Sequence, residues 1–243
     1  MPAAEGISLL PLTGIGEIEP GDDLSLTVAA ALAPRRASGP TLQEGDVVVV
    51  TQKIVSKAEG RLVPLQADDA DARRALVEQE SVRIIRRRGD LIISETRHGF
   101  VCANAGVDLS NVAEGTAALL PEDSDRSARR LRAGLQRLLG LEVGVIISDT
   151  FGRPWRQGVT DVAIGCAGVA AVVDLRGTRD SNGRELIVTE VCVGDELAAA
   201  AELVMGKDRG IPAAIVRGVP GAWLRSASVR QEVIRPPDED LFR

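Results

Sequence analysis

The densest group of chemically useful side chains lies in segment 148–156 (SDTFGRPWR). It follows a short apolar run that predicts a strand, and functional groups of α/β proteins commonly lie at the carboxyl ends of strands. Asp149 and Thr150 offer the oxygen ligands that a hard cation such as Mg²⁺ prefers. Arg153 and Arg156 could hold phosphate or carboxylate oxygens. A plain turn, in which Asp149 bonds its own loop backbone, remains the alternative interpretation.

A second candidate segment is 107–111 (VDLSN). Asp108 could be another metal ligand, and Asn111 could contact a nucleotide base or a phosphate. An Asx turn or a helix cap accounts for the same residues without any ligand.

A third candidate segment, 51–61, follows the β-branched run 46–50. Lys53, Lys57 and Arg61 could bind phosphates at the end of that strand. The alternative is a solvated basic edge, because exposed strand edges often carry lysine.

Several familiar site motifs are absent or incomplete. The sequence has no G-x-x-x-x-G-K-[ST] phosphate loop, and Gly14-Ile15-Gly16 lacks the third glycine of a dinucleotide-binding turn. His98 is the one histidine, which leaves a catalytic triad or a Cys/His zinc site without support. Segment 205–210 has the composition of a helix C-cap and turn, although Lys207 could reach a phosphate.

Composition narrows the class of protein. The 243 residues allow one large domain or two small ones, and the net charge of −6 argues against a general nucleic-acid binder. The longest apolar run, 162–173, is shorter than the ~20 residues of a membrane-spanning helix, and the N-terminus does not resemble a signal peptide. Three well-separated cysteines fit a reduced, cytoplasmic location. Two Trp, three Phe and no Tyr predict an aliphatic core.

The residue pattern mixes strands with helices. It predicts an α/β or α+β protein with a mixed β-sheet and flanking helices rather than a doubly wound sheet, because strict alternation fails near 96–122 and 150–190. Segment 37–45 has turn composition. We expect one domain over 1–234 and a linker-like tail over 235–243. The predicted strands are 46–51, 91–94, 143–147, 170–175, 187–193 and 213–217; the predicted helices are 24–32, 69–86, 123–139 and an Ala-rich helix that Asp195 begins and that ends near Gly206.

Taken together, these segments resemble the coenzyme F420-0:L-glutamate ligase family, the γ-glutamyl ligases of deazaflavin cofactor synthesis. The resemblance runs nearly end to end and in family order. The stretches that carry it are 14–24, 45–61, 97–111, 148–158, 161–168, 174–177 and 205–212.

The resemblance implies a reaction and its partners. In this family GTP phosphorylates the free carboxylate of the deazaflavin, coenzyme F420-0, and the amine of L-glutamate then attacks the acyl phosphate. Further γ-linked glutamates can follow. Such phosphoryl transfer needs Mg²⁺ or Mn²⁺, and a requirement for K⁺ is left open. The implied assembly is a homodimer with an intertwined sheet. Some relatives carry a C-terminal nitroreductase-like domain, so this chain is either the ligase half of such a fusion or a stand-alone ligase.

The resemblance also implies roles for individual residues. Asp108 and Asp149 match ligands of a first metal, Thr150 matches a ligand of a second, and with Arg153 the two aspartates form the expected catalytic group. Lys207 stands where some relatives have a Gln that ligates the second metal, and an ammonium cannot ligate a cation. We therefore expect Lys207 to contact a GTP phosphate, the alternative being a solvated lysine at a helix end. The expected GTP-binding residues are Ile15, Gly16, Glu17, Ile18, Gln52, Lys57, Asn111, Met205, Gly206, Lys207, Asp208, Arg209, Gly210, Ile211 and Pro212.

Two other functions compete with this interpretation. One is a GTP- or metal-binding regulatory module without turnover, against which the intact Asp108, Asp149 and Thr150 argue. The other is an NAD-type oxidoreductase, which the incomplete glycine pattern weakens.

Overall fold

The structure is a computed structural model that describes residues 6–32 and 40–241. Strands and helices are mixed along this part of the chain, and two short 3₁₀ turns cover Asn104–Gly106 and Gly221–Trp223. The elements are β1 (Ser8–Pro11), α1 (Leu24–Ala31), β2 (Val47–Thr51), α2 (Gln52–Ala58), β3 (Leu62–Pro64), α3 (Ala70–Gln79), β4 (Ser81–Arg88), β5 (Leu91–Thr96), β6 (Val101–Ala103), β7 (Thr116–Ala118), α4 (Ser124–Leu139), β8 (Gly144–Arg153), β9 (Arg156–Ala167), β10 (Val173–Asp174), β11 (Glu190–Val191), α5 (Val193–Met205), β12 (Ala213–Arg217) and α6 (Val229–Glu232).

A five-stranded mixed sheet forms the centre, in the order β1-β12-β2-β8-β9. The β2–β8 pair is parallel, with Thr51 opposite Ser148, and the other three pairings are antiparallel. A three-stranded sheet (β4-β5-β6) and two small pairs, β3-β7 and β10-β11, surround it. The expected mixed sheet with flanking helices is therefore confirmed.

The core is aliphatic, as the composition predicts. Val47–Val50 in β2 and Val145–Ile147 in β8 are fully buried, which suits the continuous apolar runs of central strands. Helix α4 packs against β8, β9 and α1, while α5 packs across β9, β12 and β1. The two helices cover the sheet whose strand ends carry the polar segments.

Local capping signals fix three helix ends. The Asp23 side chain accepts a hydrogen bond from Ser25 N at the start of α1, and that of Asp123 accepts one from Arg126 N at the start of α4. Gly140 ends α4 with a left-handed φ of 70°. The prediction for α5 is wrong at its start, because Cys192 is the N-cap. Asp195 lies in the first turn, where its carboxylate instead accepts a hydrogen bond from Ala163 N on β9.

The predicted helix 69–86 is wrong in its second half. Helix α3 ends at Gln79, and residues 81–88 form β4, which pairs with β5. The apolar residues of this half, Val82, Ile84 and Ile85, are β-branched and favour strands, so pairing with β5 outweighs the helical spacing.

Other predicted elements have shorter or longer bounds. The strands expected at 170–175 and 187–193 contract to β10 and β11, because Ile187 and Val188 stay exposed with no surface to pack on. Strand β8 is longer than expected, and its partner β9 lacks a clear alternating pattern in its exposed first half. The loop expected at 37–45 is confirmed for 40–45, and 37–39 lie outside the described residues. Over the described ranges, no helix is both long and apolar enough to cross a membrane.

Candidate active site

A cavity of about 730 Å³ opens beside the end of β2, where the parallel strand β8 continues past it. The pairing of Thr51 with Ser148 places the start of α2 beside Asp149 and Thr150 on β8. Segments distant in the sequence complete the wall, among them the loop between β1 and α1, the loop around Asp108 and the turn after α5. The side chains predicted to do chemistry therefore meet beyond the carboxyl end of β2, along the part of β8 that extends past it, and α/β sites commonly lie at such strand ends.

The carboxyl of Asp149 lies in the cavity wall. Burial raises the pKa of its carboxyl to about 7; the Thr150 N–H lowers this pKa, whereas the nearby carboxylates of Asp108 and Asp161 raise it. A β-bulge next to Ser148 shifts the register between β8 and β9 here, and such bulges often re-aim side chains beside active sites. A bound cation would compensate the charge that these carboxylates share.

A tightly shaped loop presents Asp108. Just before it, Asn104 and Ala105 both have left-handed φ values, 51° and 52°, and a non-glycine residue adopts that conformation at a cost of about 1 kcal/mol. Asp108 exchanges two backbone hydrogen bonds with Ala118, which anchors the loop to β7. The backbone strain is thus held in place beside a candidate ligand.

The side chain of Asp108 is paired with Lys53 at the start of α2. Lys53 Nζ lies 2.5 Å from Asp108 Oδ2 and also donates to Ser110. Burial raises the pKa of Asp108, but the hydrogen bonds from Lys53 and from Ser110 N outweigh burial and hold this pKa below its ordinary value. Asp108 is therefore ionised at neutral pH.

Two further residues of α2 face the cavity in different ways. Lys57 is mostly buried and forms an ion pair with Glu17, which ties α2 to segment 15–18. The buried Gln52 amide donates to Ser56 Oγ at 2.6 Å and to the Leu119 carbonyl at 3.0 Å. Gln52 therefore also links α2 to Leu119, the residue that follows β7.

Lys207 also lines the cavity, two residues after the end of α5. Its Nζ contacts Thr150 Oγ1, lies 3.0 Å from Asp161 Oδ1 and lies 3.5 Å from Glu202 Oε1. Gly206, with φ of 66°, ends α5 and turns the chain so that Lys207 folds back over Glu202. The pKa of Glu202 lies above its ordinary value, because burial and the charge of Asp161 raise it by more than Lys207 lowers it.

The structure brings most of the predicted site residues to this cavity. Arg153 lies outside the wall, at the exposed end of β8, where its guanidinium reaches the Gln157 carbonyl. The side chain of Met205 is fully buried in the core, and Arg209 is not part of the wall. Predicted residues that do line it are Ile15, Gly16, Glu17, Ile18, Gln52, Lys57, Asp108, Asn111, Asp149, Thr150, Gly206, Lys207, Asp208, Gly210, Ile211 and Pro212.

Sequence reasoning missed two carboxylates of the wall, Asp161 and Glu202. Asp161 is 1% exposed and accepts hydrogen bonds from Ser148 Oγ at 2.9 Å and Thr150 Oγ1 at 2.6 Å. One signal was available, because Asp161 directly precedes the longest apolar run, where a carboxylate is costly unless it is paired. Nothing in the Ala-rich sequence of α5 distinguishes Glu202 from a solvated glutamate.

The chemistry of the donors suits one divalent cation. Mg²⁺ is commonly bound through one or two carboxylates together with waters and substrate phosphates, and Asp108 and Asp149 can supply the carboxylates for Mg²⁺ or Mn²⁺. Within residues 6–32 and 40–241, no group of three or more His, Cys, Asp or Glu side chains is arranged to hold a metal by itself. Thr150 does not fit a second divalent ion, because the ammonium of Lys207 contacts its hydroxyl.

Comparison with known proteins decides the family. Residues 14–218 match the family model described as F420-0:Gamma-glutamyl ligase. The chain belongs to this family. It is 46% identical to the coenzyme F420:L-glutamate ligase of Methanothermobacter thermautotrophicus, over 98% of this chain and 99% of that protein. Two proteins with the same name are also similar to this chain. The protein of Methanopyrus kandleri is 46% identical over 93% of this chain and 94% of that protein, and the protein of Methanocaldococcus jannaschii is 37% identical over 92% of each.

Proposed function

We propose that this member of the F420-0:gamma-glutamyl ligase family joins L-glutamate to coenzyme F420-0 through an amide bond, with GTP as the energy source. The observation that carries the proposal is the cavity beside the end of β2, whose wall contains Asp108 and Asp149 together with Lys53 and Lys57. Carboxylates for a cation and ammonium groups for phosphates are the charges that phosphoryl transfer requires. The relatives are named as ligases of coenzyme F420 and L-glutamate, which supports these two substrates.

The proposed chemistry has two steps. An oxygen of the deazaflavin carboxylate attacks the γ-phosphorus of GTP, the bond to the β-phosphate oxygen breaks, and GDP leaves. The neutral amine of L-glutamate then attacks the resulting acyl phosphate, an amide bond forms, and inorganic phosphate leaves while the nitrogen loses its proton to solvent. The first step converts a poor leaving group into a good one, which is the reason for nucleotide consumption.

Asp108 and Asp149 would hold Mg²⁺ or Mn²⁺. When bound there, the cation supplies positive charge for the phosphate oxygens. Lys53 and Lys57 add charge from α2, and the ion pairs that they make in this structure, with Asp108 and Glu17, hold both ammonium groups at the wall. Arg153 is not part of this wall within one chain, and its catalytic role stays a prediction.

The remaining wall suits a nucleotide with a planar base. We assign segment 15–18, Asn111 and segment 206–212 to GTP, and all of these residues except Arg209 line the cavity. Ile15, Ile18 and Ile211 add apolar surface, and small-molecule sites typically combine such surface with a few polar groups.

We also propose the intertwined homodimer. The arm formed by β8 and β9 carries Trp155 and Val159, which are 86% and 62% exposed, and exposed apolar residues on an extended hairpin favour contact with a second copy. Light scattering of the purified chain tests this assembly. Addition of several glutamates, a K⁺ requirement and a natural fusion to a nitroreductase-like domain also remain proposals.

Mass spectrometry of the deazaflavin product tests the function. The purified chain is incubated with coenzyme F420-0, L-glutamate, Mg²⁺ or Mn²⁺, and either GTP or ATP. We expect a product one glutamyl unit heavier, together with GDP and phosphate, and far less product with ATP. Equal product with ATP would contradict the choice of nucleotide. Binding of GTP and metal without any product would instead support the regulatory module.

A further inference from the structure

Lysine is distributed unevenly in this protein. The sequence has 26 arginines and only three lysines, Lys53, Lys57 and Lys207, and all three line the same cavity. Arginine supplies every other basic side chain. A lysine ammonium is a compact point charge with three rotatable donors, whereas guanidinium is a planar fork. The cavity therefore contains the chain's three compact side-chain cations.

Lys207 differs from the other two in the number of oxygens around its nitrogen. Lys207 Nζ meets Thr150 Oγ1, Asp161 Oδ1 and Glu202 Oε1, which come from β8, β9 and α5. Asp161 is 1% exposed, and its other oxygen is occupied by Ser148 Oγ. A buried carboxylate of this kind needs a cation or several hydrogen bonds to remain charged.

We propose that Lys207 is a tethered cation of this site, whose ammonium fills an oxygen-lined subsite between Thr150, Asp161 and Glu202 and thereby excludes a second divalent metal. The chain would then work with one divalent cation, held by Asp108 and Asp149. Only the consequence for catalysis rests on the proposed function. The occupancy of the subsite by the Lys207 ammonium is a property of the protein and can be measured without substrates.

The hydrogen-bond directions agree with this role. Thr150 Oγ1 donates its proton to Asp161 Oδ1, so its lone pairs face the Lys207 ammonium. The three protons of the ammonium have three acceptors. A divalent ion at the same point would lie against the ammonium and would be repelled by it, so the ammonium and the ion are alternatives.

Metal counting tests the proposal. The full chain is dialysed against MnCl₂ alone, bound Mn²⁺ is counted, and Mn²⁺ in soaked crystals is located by its anomalous scattering. We expect one Mn²⁺ per chain for the wild type and two for Lys207→Gln, because glutamine offers an amide oxygen without charge. Lys207→Arg, which keeps the charge, is the matched control and should stay at one. In the Lys207→Gln background, Glu202→Gln should weaken the second ion selectively.

Two results would overturn the proposal: two Mn²⁺ in the wild type, or a single Mn²⁺ in Lys207→Gln. Lys207 is half exposed, so these variants should fold, and a thermal melt verifies it. The outcome is separable from that of the proposed function. A chain that makes no glutamyl product but follows the expected metal counts would retain the tethered cation, and a chain that makes product with two metals would lose it.

Discussion

The Lys53 ammonium lies 2.5 Å from the Asp108 carboxylate, although 55 residues separate the two in the sequence. The same ammonium also contacts Ser110, so both partners of the pair are fixed at the cavity wall. A divalent cation that binds Asp108 must therefore displace Lys53 or share the carboxylate with it. This competition gives the first prediction.

Lys53→Met should tighten Mn²⁺ binding to the nucleotide-free chain while slowing glutamate ligation. The change removes a competing cation that interacts with Asp108 by about 1 kcal/mol, which corresponds to about fivefold in affinity. Titration calorimetry measures the affinity. Arg83→Met is the control, because it breaks a partly exposed ion pair with Glu95 away from the cavity. It should leave the Mn²⁺ affinity unchanged. Weaker Mn²⁺ binding in Lys53→Met would show that Lys53 supports the metal site instead.

Asp149→Asn should abolish turnover and leave the fold intact. The amide keeps the size of the side chain but removes the charge that holds the cation, and losing one such electrostatic contact costs a factor of about 10²–10³ in rate. Steady-state assays at saturating metal measure the loss. Asp174→Asn makes the same change at an exposed ion pair with Arg176 and should retain full activity. A loss of only a few-fold in Asp149→Asn would refute the metal role of Asp149.

The stability of the metal-free protein should depend on pH through Asp149. Burial raises the pKa of its carboxyl to about 7, above the ordinary 3.8 of an unfolded chain. Between these values the folded chain retains a proton that the unfolded chain has lost, so the free energy of unfolding falls as pH rises. In EDTA, the Tm of Asp149→Asn relative to the wild type should therefore increase from pH 4 to about pH 7.

Asp174→Asn should change the Tm in the opposite direction in the same melts. The hydrogen bond from the Arg176 side chain lowers the pKa of Asp174 to about 2, so removing this carboxylate cannot stabilise the folded chain at neutral pH. A pH-independent difference between Asp149→Asn and the wild type would contradict the assignment of a raised pKa.

Asp125→Ala should destabilise the protein without touching the cavity. This buried carboxylate accepts hydrogen bonds from Cys166 N, Val229 N and Arg230 N, which joins α4, β9 and α6. Leaving buried donors unpaired costs about 1–3 kcal/mol each, so we expect a loss of about 3 kcal/mol and a Tm lower by about 10 °C. Thermal unfolding by circular dichroism measures the shift. Glu122→Ala, at an exposed neighbour, should change stability by less than about 0.5 kcal/mol.

Several elements are determined by local sequence alone. The valines of β2 form a continuous β-branched run, Asp23 and Asp123 cap helices α1 and α4, and Gly140 ends α4. These signals act within a few residues, so no tertiary information is needed to interpret them. The position of Asp149 shortly after the apolar run 143–147 is a signal of the same kind.

Tertiary contacts determined the rest. The spacing of Val82, Ile84 and Ile85 is compatible with a helix, and only pairing with β5 makes this segment a strand. The pairing of Thr51 with Ser148 sets the site, because it brings the start of α2 beside Asp149 and Thr150 on β8.

The charge environment of the cavity is also a tertiary property. Asp161 and Glu202 gain their importance only when β9 and α5 bring them to Lys207, and no local pattern encodes that encounter. The sequence by itself determined which side chains were available and that Asp149 and Thr150 would follow the apolar run of β8. The folded chain decided which charges face one another, since electrostatic interaction depends on distances in space rather than along the chain.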